Sequence, residues 1–248
     1  MSDWRIGVIK ALDGKDAMRI LTTIDLKRVI RMHRDVSDPI FKQFINTLCD
    51  NKYLIRIARG IYLNANSTPV PSMSETAQYI RPGSVVSLQT VLGDCGFINN
   101  PSSIVTAITT DHGVKFSGEL ITSEDFKFQF RYIPGALSHS RIGGLDESCH
   151  YYQRATPERA LVDWIYFANS PYSPLTYPPS DVDMSVIDLQ KAYELANKLG
   201  MQAAVQSWNE RAHSLGFGDD EYCVKAISDI KKVKTKKHVK SNQISWSS

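Results

Sequence analysis

Between Ser37 and Leu63 the chain reads SDPIFKQFINTLCDNKYLIRIARGIYL, and a change of period inside it limits the folds open to the whole. Ser37 is suited to cap a helix, and Pro39, at its second position, suits a first turn that needs no amide donor. Ile40, Phe41, Phe44, Ile45 and Leu48 recur with helical period and make one face apolar. At about 100° per residue, Lys42, Gln43, Asn46 and Asp50 fall on the opposite face. After Asn51-Lys52 the pattern becomes that of strands. Leu54–Ala58 reads as one strand, Arg59-Gly60 as a turn and Ile61–Leu63 as the returning strand. A short helix with a polar outer face, followed by an Arg-tipped hairpin, is the sequence form of a winged helix-turn-helix.

Two earlier helices complete that unit. Trp4, Val8 and Leu12 are spaced i, i+4, i+8 and predict a first helix ending near Asp13-Gly14. Thr22 or Thr23 caps a second, with Leu26, Val29 and Ile30 inward and Lys27, Arg28 and Arg31 outward. In such a unit the third helix enters the major groove and the second crosses the DNA backbone. Lys42, Gln43 and Asn46 are residue types that read base edges or phosphates, and Ser37 and Thr47 extend the same surface. Arg56 and Arg59 are expected to reach phosphate or the minor groove from the hairpin, Arg59 foremost because it stands at the turn. The bland alternative is that any solvated helix carries such residues.

Charge supports the same end of the chain. Through residue 63 there are 12 Lys and Arg against 7 Asp and Glu, a balance of +5. Residues 64–230 carry 11 basic and 19 acidic side chains, a balance of −8, and residues 231–248 carry 6 Lys and no acid. Polyphosphate is attracted to the basic ends and repelled by the middle.

The expected architecture is α+β: a winged helix-turn-helix over residues 1–63, a Pro-containing linker over 64–72, a mixed α/β core domain with a helical C-terminus over 73–230, and a basic, disordered tail over 231–248. In the core, Ser74 begins a short helix, Ser84–Leu88 is strand-like, and SIVTAITT, HGVKFSGELIT and DFKFQFRYIPG are predicted strands. In the last of these Phe126, Phe128 and Phe130 alternate with Lys127, Gln129 and Arg131, so one side is expected to face solvent. Thr156-Pro157 opens a helix with Leu161, Val162, Trp164, Ile165 and Phe167 inward, leaving Glu158 and Asp163 to the surface or to capping. SPYSPLTYPPSDVD is an irregular connection, followed by helices at 186–199, 201–215 and 221–230.

Signals for chemistry are poor. Asp181-Val182-Asp183 lies almost a hundred residues from Gly83-Ser84, where a nucleotidyltransferase site would need them on neighbouring strands, so Asp183 or Ser185 is read as a cap. Cys149-His150 has no partner acid, and the histidines form no ligand spacing with each other or with cysteine. The expectation is therefore no enzyme, no metal and no cofactor. Cys49, Cys95, Cys149 and Cys223 are widely spaced and are read as buried thiols of a reducing cytoplasm. No apolar run approaches a membrane span and the N-terminus lacks a signal core, so a cytoplasmic protein is expected.

Four blocks in order, LTTIDLKRVI, FINTLCDNKYLIRIARGIYL, SVVSLQTVLGDCGFINNPSSIVTAIT and ATPERALVDWIYFA, resemble the AbiEi antitoxins of type IV toxin–antitoxin systems. That family's R-G-x-Y hairpin is matched by Arg59-Gly60-Ile61-Tyr62, its core block by Ser84–Gly96 and its "tPE+ALvD" helix by Thr156–Asp163. The resemblance implies an autorepressor that binds inverted repeats of double-stranded DNA in its own promoter and counters an AbiEii-like nucleotidyltransferase toxin. It carries over no catalytic residue. The alternatives are a solitary winged-helix regulator and a protein-binding scaffold that does not bind DNA.

Overall fold

The computed structural model describes residues 3–99, 102–123 and 125–215. The helix expected at 221–230, the basic tail and Cys223 lie outside them. The described chain is α+β, with helices α1 Asp3–Ala11, α2 Thr23–Arg31, α3 Asp38–Asp50, α4 Met73–Ile80, α5 Gln89–Asp94, α6 His139–Ile142, α7 Pro157–Ala168, α8 Leu189–Lys198 and α9 Gln202–Ser214. Its strands are β1 Ile20–Thr22, β2 Leu54–Ala58, β3 Ile61–Asn64, β4 Val85–Val86, β5 Ile104–Thr109, β6 Glu119–Thr122 and β7 Lys127–Tyr132. No described helix is long and apolar enough to cross a membrane.

Two compact units divide the chain, one holding the residues up to Val86 with Ser103–Ile133 and Asp146–Arg154, the other Ser87–Ser102, Pro134–Leu145 and the residues from Ala155 onward. These limits differ from the expected boundaries at 63 and 72, and the reason lies in the stretch taken for a linker. Strand β3 runs on to Asn64, which is fully buried and donates from Nδ2 to the carbonyls of Leu12 at 2.8 Å and Met18 at 2.9 Å. Ser67 is 2% exposed and bridges to Gly14. Arg19 donates to both oxygens of Glu75, at 3.0 and 2.7 Å, and to the carbonyl of Pro69. A polar segment whose side chains satisfy buried backbone groups is part of the fold and not a tether.

In the first unit α1, α2 and α3 close over an antiparallel sheet of order β1-β3-β2. Trp4, Val8, Leu26, Ile30, Phe44, Ile45 and Leu48 make one core with Leu21 and Leu54 of the sheet, and Trp4 meets Phe44 edge-on at 4.9 Å. The α2 start is locked by a reciprocal cap: Thr22 Oγ accepts from Asp25 N, and Asp25 accepts from Thr22 N. Helix α3 begins where expected, but Ser37 makes no capping bond with its side chain, and Ile40 is 42% exposed instead of inward. Position 40 lies at the edge of the apolar face, about 90° of helix rotation from its centre near Phe41 and Leu48.

The same unit carries a second sheet of order β4-β5-β7-β6, parallel between β5 and β7 and antiparallel elsewhere. Phe128 and Phe130 point into its core as the alternation predicts. Two expectations fail here. Residues 112–118 of the predicted strand HGVKFSGELIT are turns, because Asp111 captures Gly113 N at 2.9 Å and Gly118 takes φ +103°. Arg131 is buried at 2% because that turn region folds across its side of the sheet, and its guanidinium donates to Ser117 O at 2.8 Å. Burial draws the Arg131 pKa down.

The second unit is built on α7. Thr156 caps it by accepting from Arg159 N, and Pro157 fills the first turn. It packs against α5, α8 and α9 and buries Leu161, Val162, Trp164, Ile165 and Phe167. The Pro-rich connection is irregular as expected and is held by two indoles: Trp164 Nε1 donates to Thr176 O at 2.7 Å and Trp208 Nε1 to Pro178 O at 3.0 Å. Asp183 caps the short 3-10 turn Met184–Val186 through Ser185 N, and α8 is capped by Asp188. Cys49, Cys95 and Cys149 are half-buried and form no disulfide.

Candidate nucleic-acid interface

Helix α3 turns Phe41, Phe44, Ile45 and Leu48 inward, so its screw sense sends Lys42, Gln43, Asn46, Thr47 and Asp50 to solvent. Ser37, Arg56 and Arg59 are exposed as well. Every candidate contact residue therefore stands at the surface of the first unit, but they differ in what they have to offer. Thr47 donates its hydroxyl to Gln43 O at 3.0 Å, one turn back, and its own carbonyl accepts from Asn51 Nδ2 at 2.7 Å. Its side chain is committed to the helix. Among the described residues none holds the side chain of Lys42, Gln43 or Arg59 by a hydrogen bond, although the Lys42 charge helps to lower the Asp38 pKa.

Arg59 begins the turn between β2 and β3, and Gly60 at φ +78° allows that turn to close. Gly60 O accepts from Thr23 N at 2.9 Å, so the tip of the hairpin is fastened to the start of α2. A Cβ on Gly60 would lie 3.0 Å from Thr23 Oγ1. Thus Arg59 is presented from a braced tip.

Arg56 is held differently. It lies on β2 opposite Tyr62, just before an irregularity between Arg56 and Ala58, and its guanidinium sits 5.6 Å from the Tyr62 ring centroid. From there its NH2 donates to Asn46 Oδ1 at 3.2 Å. Its charge also reaches Cys49, one turn beyond Asn46, although burial outweighs it and raises the Cys49 pKa. The strand arginine lies along α3 and touches a candidate base-reading side chain.

Lys27, expected to face outward from α2, bonds Asp38 Oδ1 at 3.0 Å. That bond holds the Asp38 carboxyl below its ordinary pKa and offsets an acid at the start of α3 that would otherwise repel phosphate. Arg28 and Arg31, with side chains 72% and 71% exposed, remain on the outer surface of α2.

The second unit holds a polar cluster around Asp163, a residue expected from sequence at the surface or in a capping role. Asp163 is fully buried on α7; its Oδ2 meets Ser87 Oγ and His139 Nε2, each at 2.8 Å, and its Oδ1 accepts from Arg159 Nε at 2.8 Å. Arg159 also donates to Gly143 O at 3.0 Å and Leu137 O at 2.7 Å. Burial would raise the Asp163 pKa, but His139 and Arg159 together draw it down. With exposures of 3% or less throughout, the cluster offers no surface to a substrate and binds the 137–143 turns to α7. The signal in the sequence was Arg159 and Asp163 at i, i+4 on the apolar side of a helix.

No family model matches the chain, and no curated protein matches it in sequence. Among solved structures it is similar to the RV2827C protein from Mycobacterium tuberculosis, at 13% identity and a TM-score of 0.46, over 84% of this chain and 81% of that one. At that level of similarity neither fold nor function carries across.

Proposed function

We propose that residues up to Asn64 are a winged helix-turn-helix and that the chain is a DNA-binding transcriptional autorepressor and antitoxin. The element order α1-β1-α2-α3-β2-β3, with β3 central in its sheet, supports this reading. The observation that carries it is the outer face of α3, where Lys42, Gln43 and Asn46 stand exposed on a helix fixed by its buried side. A rigid helix with amide and ammonium groups outward suits a major groove. Arg28 and Arg31 on α2 and Arg59 at the hairpin tip suit the flanking phosphates. The role against an AbiEii-like toxin rests on the sequence resemblance.

The test is binding of the full chain to a duplex taken from upstream of its own reading frame, measured over a series of salt concentrations. Lys42→Ala and Arg59→Ala should each lower the salt slope by about 1, whereas Asn46→Ala should cost about 1–3 kcal/mol and relax sequence preference. Binding by these variants as tight as wild type would place the interface elsewhere. Salt-independent or absent DNA binding, together with co-purification of a nucleotidyltransferase, would favour the scaffold reading.

A further inference from the structure

We propose that Arg56 is a positioning residue that sets the amide of Asn46, and that Asn46 reads a hydrogen-bond acceptor on a base edge; this rests on the DNA-binding reading above. From sequence, Arg56 is a candidate for phosphate or minor-groove contact, ranked below Arg59. The geometry gives it another task. Its guanidinium lies against Tyr62, which is 7% exposed and cannot move without disturbing the core, and from that support it donates to Asn46 Oδ1 at 3.2 Å. A carboxamide has one acceptor end and one donor end. With Oδ1 turned toward β2, the Nδ2 end is left for the groove, and no described residue bonds it. Two outward N–H groups match the acceptor edge of guanine, O6 and N7, or thymine O4. The bidentate reading of adenine uses Oδ1 as an acceptor and Nδ2 as a donor on the same base. Arg56 disfavours it by drawing Oδ1 aside.

Arg56 is held in place from two sides. Its Cα pairs with Tyr62, and the strand shifts register immediately afterward, between Arg56 and Ala58. Such an irregularity re-aims a side chain relative to the regular pleat. Arg56 thus leans across to α3 instead of outward to a phosphate, which leaves the hairpin's backbone contact to Arg59.

The experiment uses the full chain and a pool of randomised duplexes to select a preferred sequence, which is then scanned base pair by base pair. Four proteins are compared: wild type, Asn46→Ala, Arg56→Met and Arg56→Gln. Methionine keeps length and loses the donor; glutamine keeps an N–H donor and loses the charge. Arg56→Met and Asn46→Ala should flatten the preference at the same base pair, roughly five- to hundred-fold, the range of one good base contact. Their double variant should be no flatter, because both remove one unit. Arg56→Gln should retain the preference, and the salt slope should stay at the wild-type value in all variants. The selected base should be guanine or thymine at that position. A salt slope lower by about 1 in both Arg56 variants, with base preference intact, would make Arg56 a phosphate contact and overturn the assignment. Selection of adenine there would overturn the acceptor reading. A wild-type chain that selects no sequence and shows no salt-dependent binding would remove the DNA-binding reading itself. Circular dichroism checks the fold of Arg56→Met; should it be unfolded, loss of the base preference in a folded Arg56→Gln would overturn the hydrogen-bond assignment.

Discussion

Arg159 Nε donates to Asp163 Oδ1 at 2.8 Å, one helical turn away, and neither side chain reaches solvent. Removing one member of such a pair leaves a buried charge without its counterpart, which costs about 3–5 kcal/mol. Asp163→Asn should therefore lower the urea-unfolding free energy by that order at pH 7. The carboxyl titrates lower in the fold than its unfolded value of about 3.9. Its stabilisation is thus complete above about pH 4 and is lost as pH falls through the folded value. The variant should show a flatter stability curve on the acid side. An acid limb as steep as wild type would mean that another carboxylate governs it.

Beside this pair, Gly143 and Gly144 both take positive φ, +96° and +91°, but their surroundings differ. A Cβ on Gly143 meets nothing within 4 Å, whereas one on Gly144 would lie 2.6 Å from Arg159 Cβ. Gly143→Ala carries backbone strain alone, about 1–3 kcal/mol. Gly144→Ala adds overpacking against a side chain that is bonded at three points, a further 1–3 kcal/mol or so. Thermal melting should therefore rank Gly144→Ala clearly below Gly143→Ala; equal losses would show that Arg159 has room to shift.

Where local chemistry decides, the sequence was legible. Thr156-Pro157 marked the start of α7, and the 100° advance from Phe41, Phe44 and Leu48 sent Lys42, Gln43 and Asn46 outward. Where distant segments decide, it was not. Asp163 is inside because Ser87 and His139 reach it from positions 76 and 24 residues away, and no local period encodes that. Arg131 alternates like a surface residue and is covered by a turn that read as strand. The parallel pairing of β5 with β7, Ile104 opposite Lys127, likewise joins segments whose adjacency leaves no mark in either. Of the candidate interface, exposure was readable. The Arg56–Asn46 bond was not, since it needs the register of β2 against α3.

The bidentate pair between Arg19 and Glu75 makes the stretch after β3 part of the first unit. Their side chains are 19% and 6% exposed, and Arg19 also stacks 3.9 Å from the Tyr151 ring centroid. The hydrogen bonds from Arg19 to Glu75 raise the Arg19 pKa. Because Arg19 retains some solvent contact, the loss on Arg19→Ala should be about 1–3 kcal/mol, below that of a fully buried pair. Limited proteolysis gives the sharper readout: the variant should be cut faster between Asn64 and Met73. Protection equal to wild type would show that Asn64 and Ser67 hold the segment without Arg19.

Thr22 and Ser37 precede α2 and α3 with nearly the same backbone, ψ 167° and 156°, and the sequence invites the same capping role for both. Only Thr22 fulfils it. Its hydroxyl and amide exchange bonds with Asp25, and those Thr22 bonds hold the Asp25 carboxyl below its ordinary pKa. Thr22→Ala should therefore cost about 1 kcal/mol, and the loss should shrink as pH falls through the titration of Asp25, whose stabilisation is present only above that range. Ser37→Ala should be close to neutral at any pH, since it removes no capping bond. Paired urea titrations at neutral and acid pH compare the two. A Ser37→Ala loss equal to that of Thr22→Ala would mean that Ser37 caps α3 in solution and that its hydroxyl is not free for a phosphate.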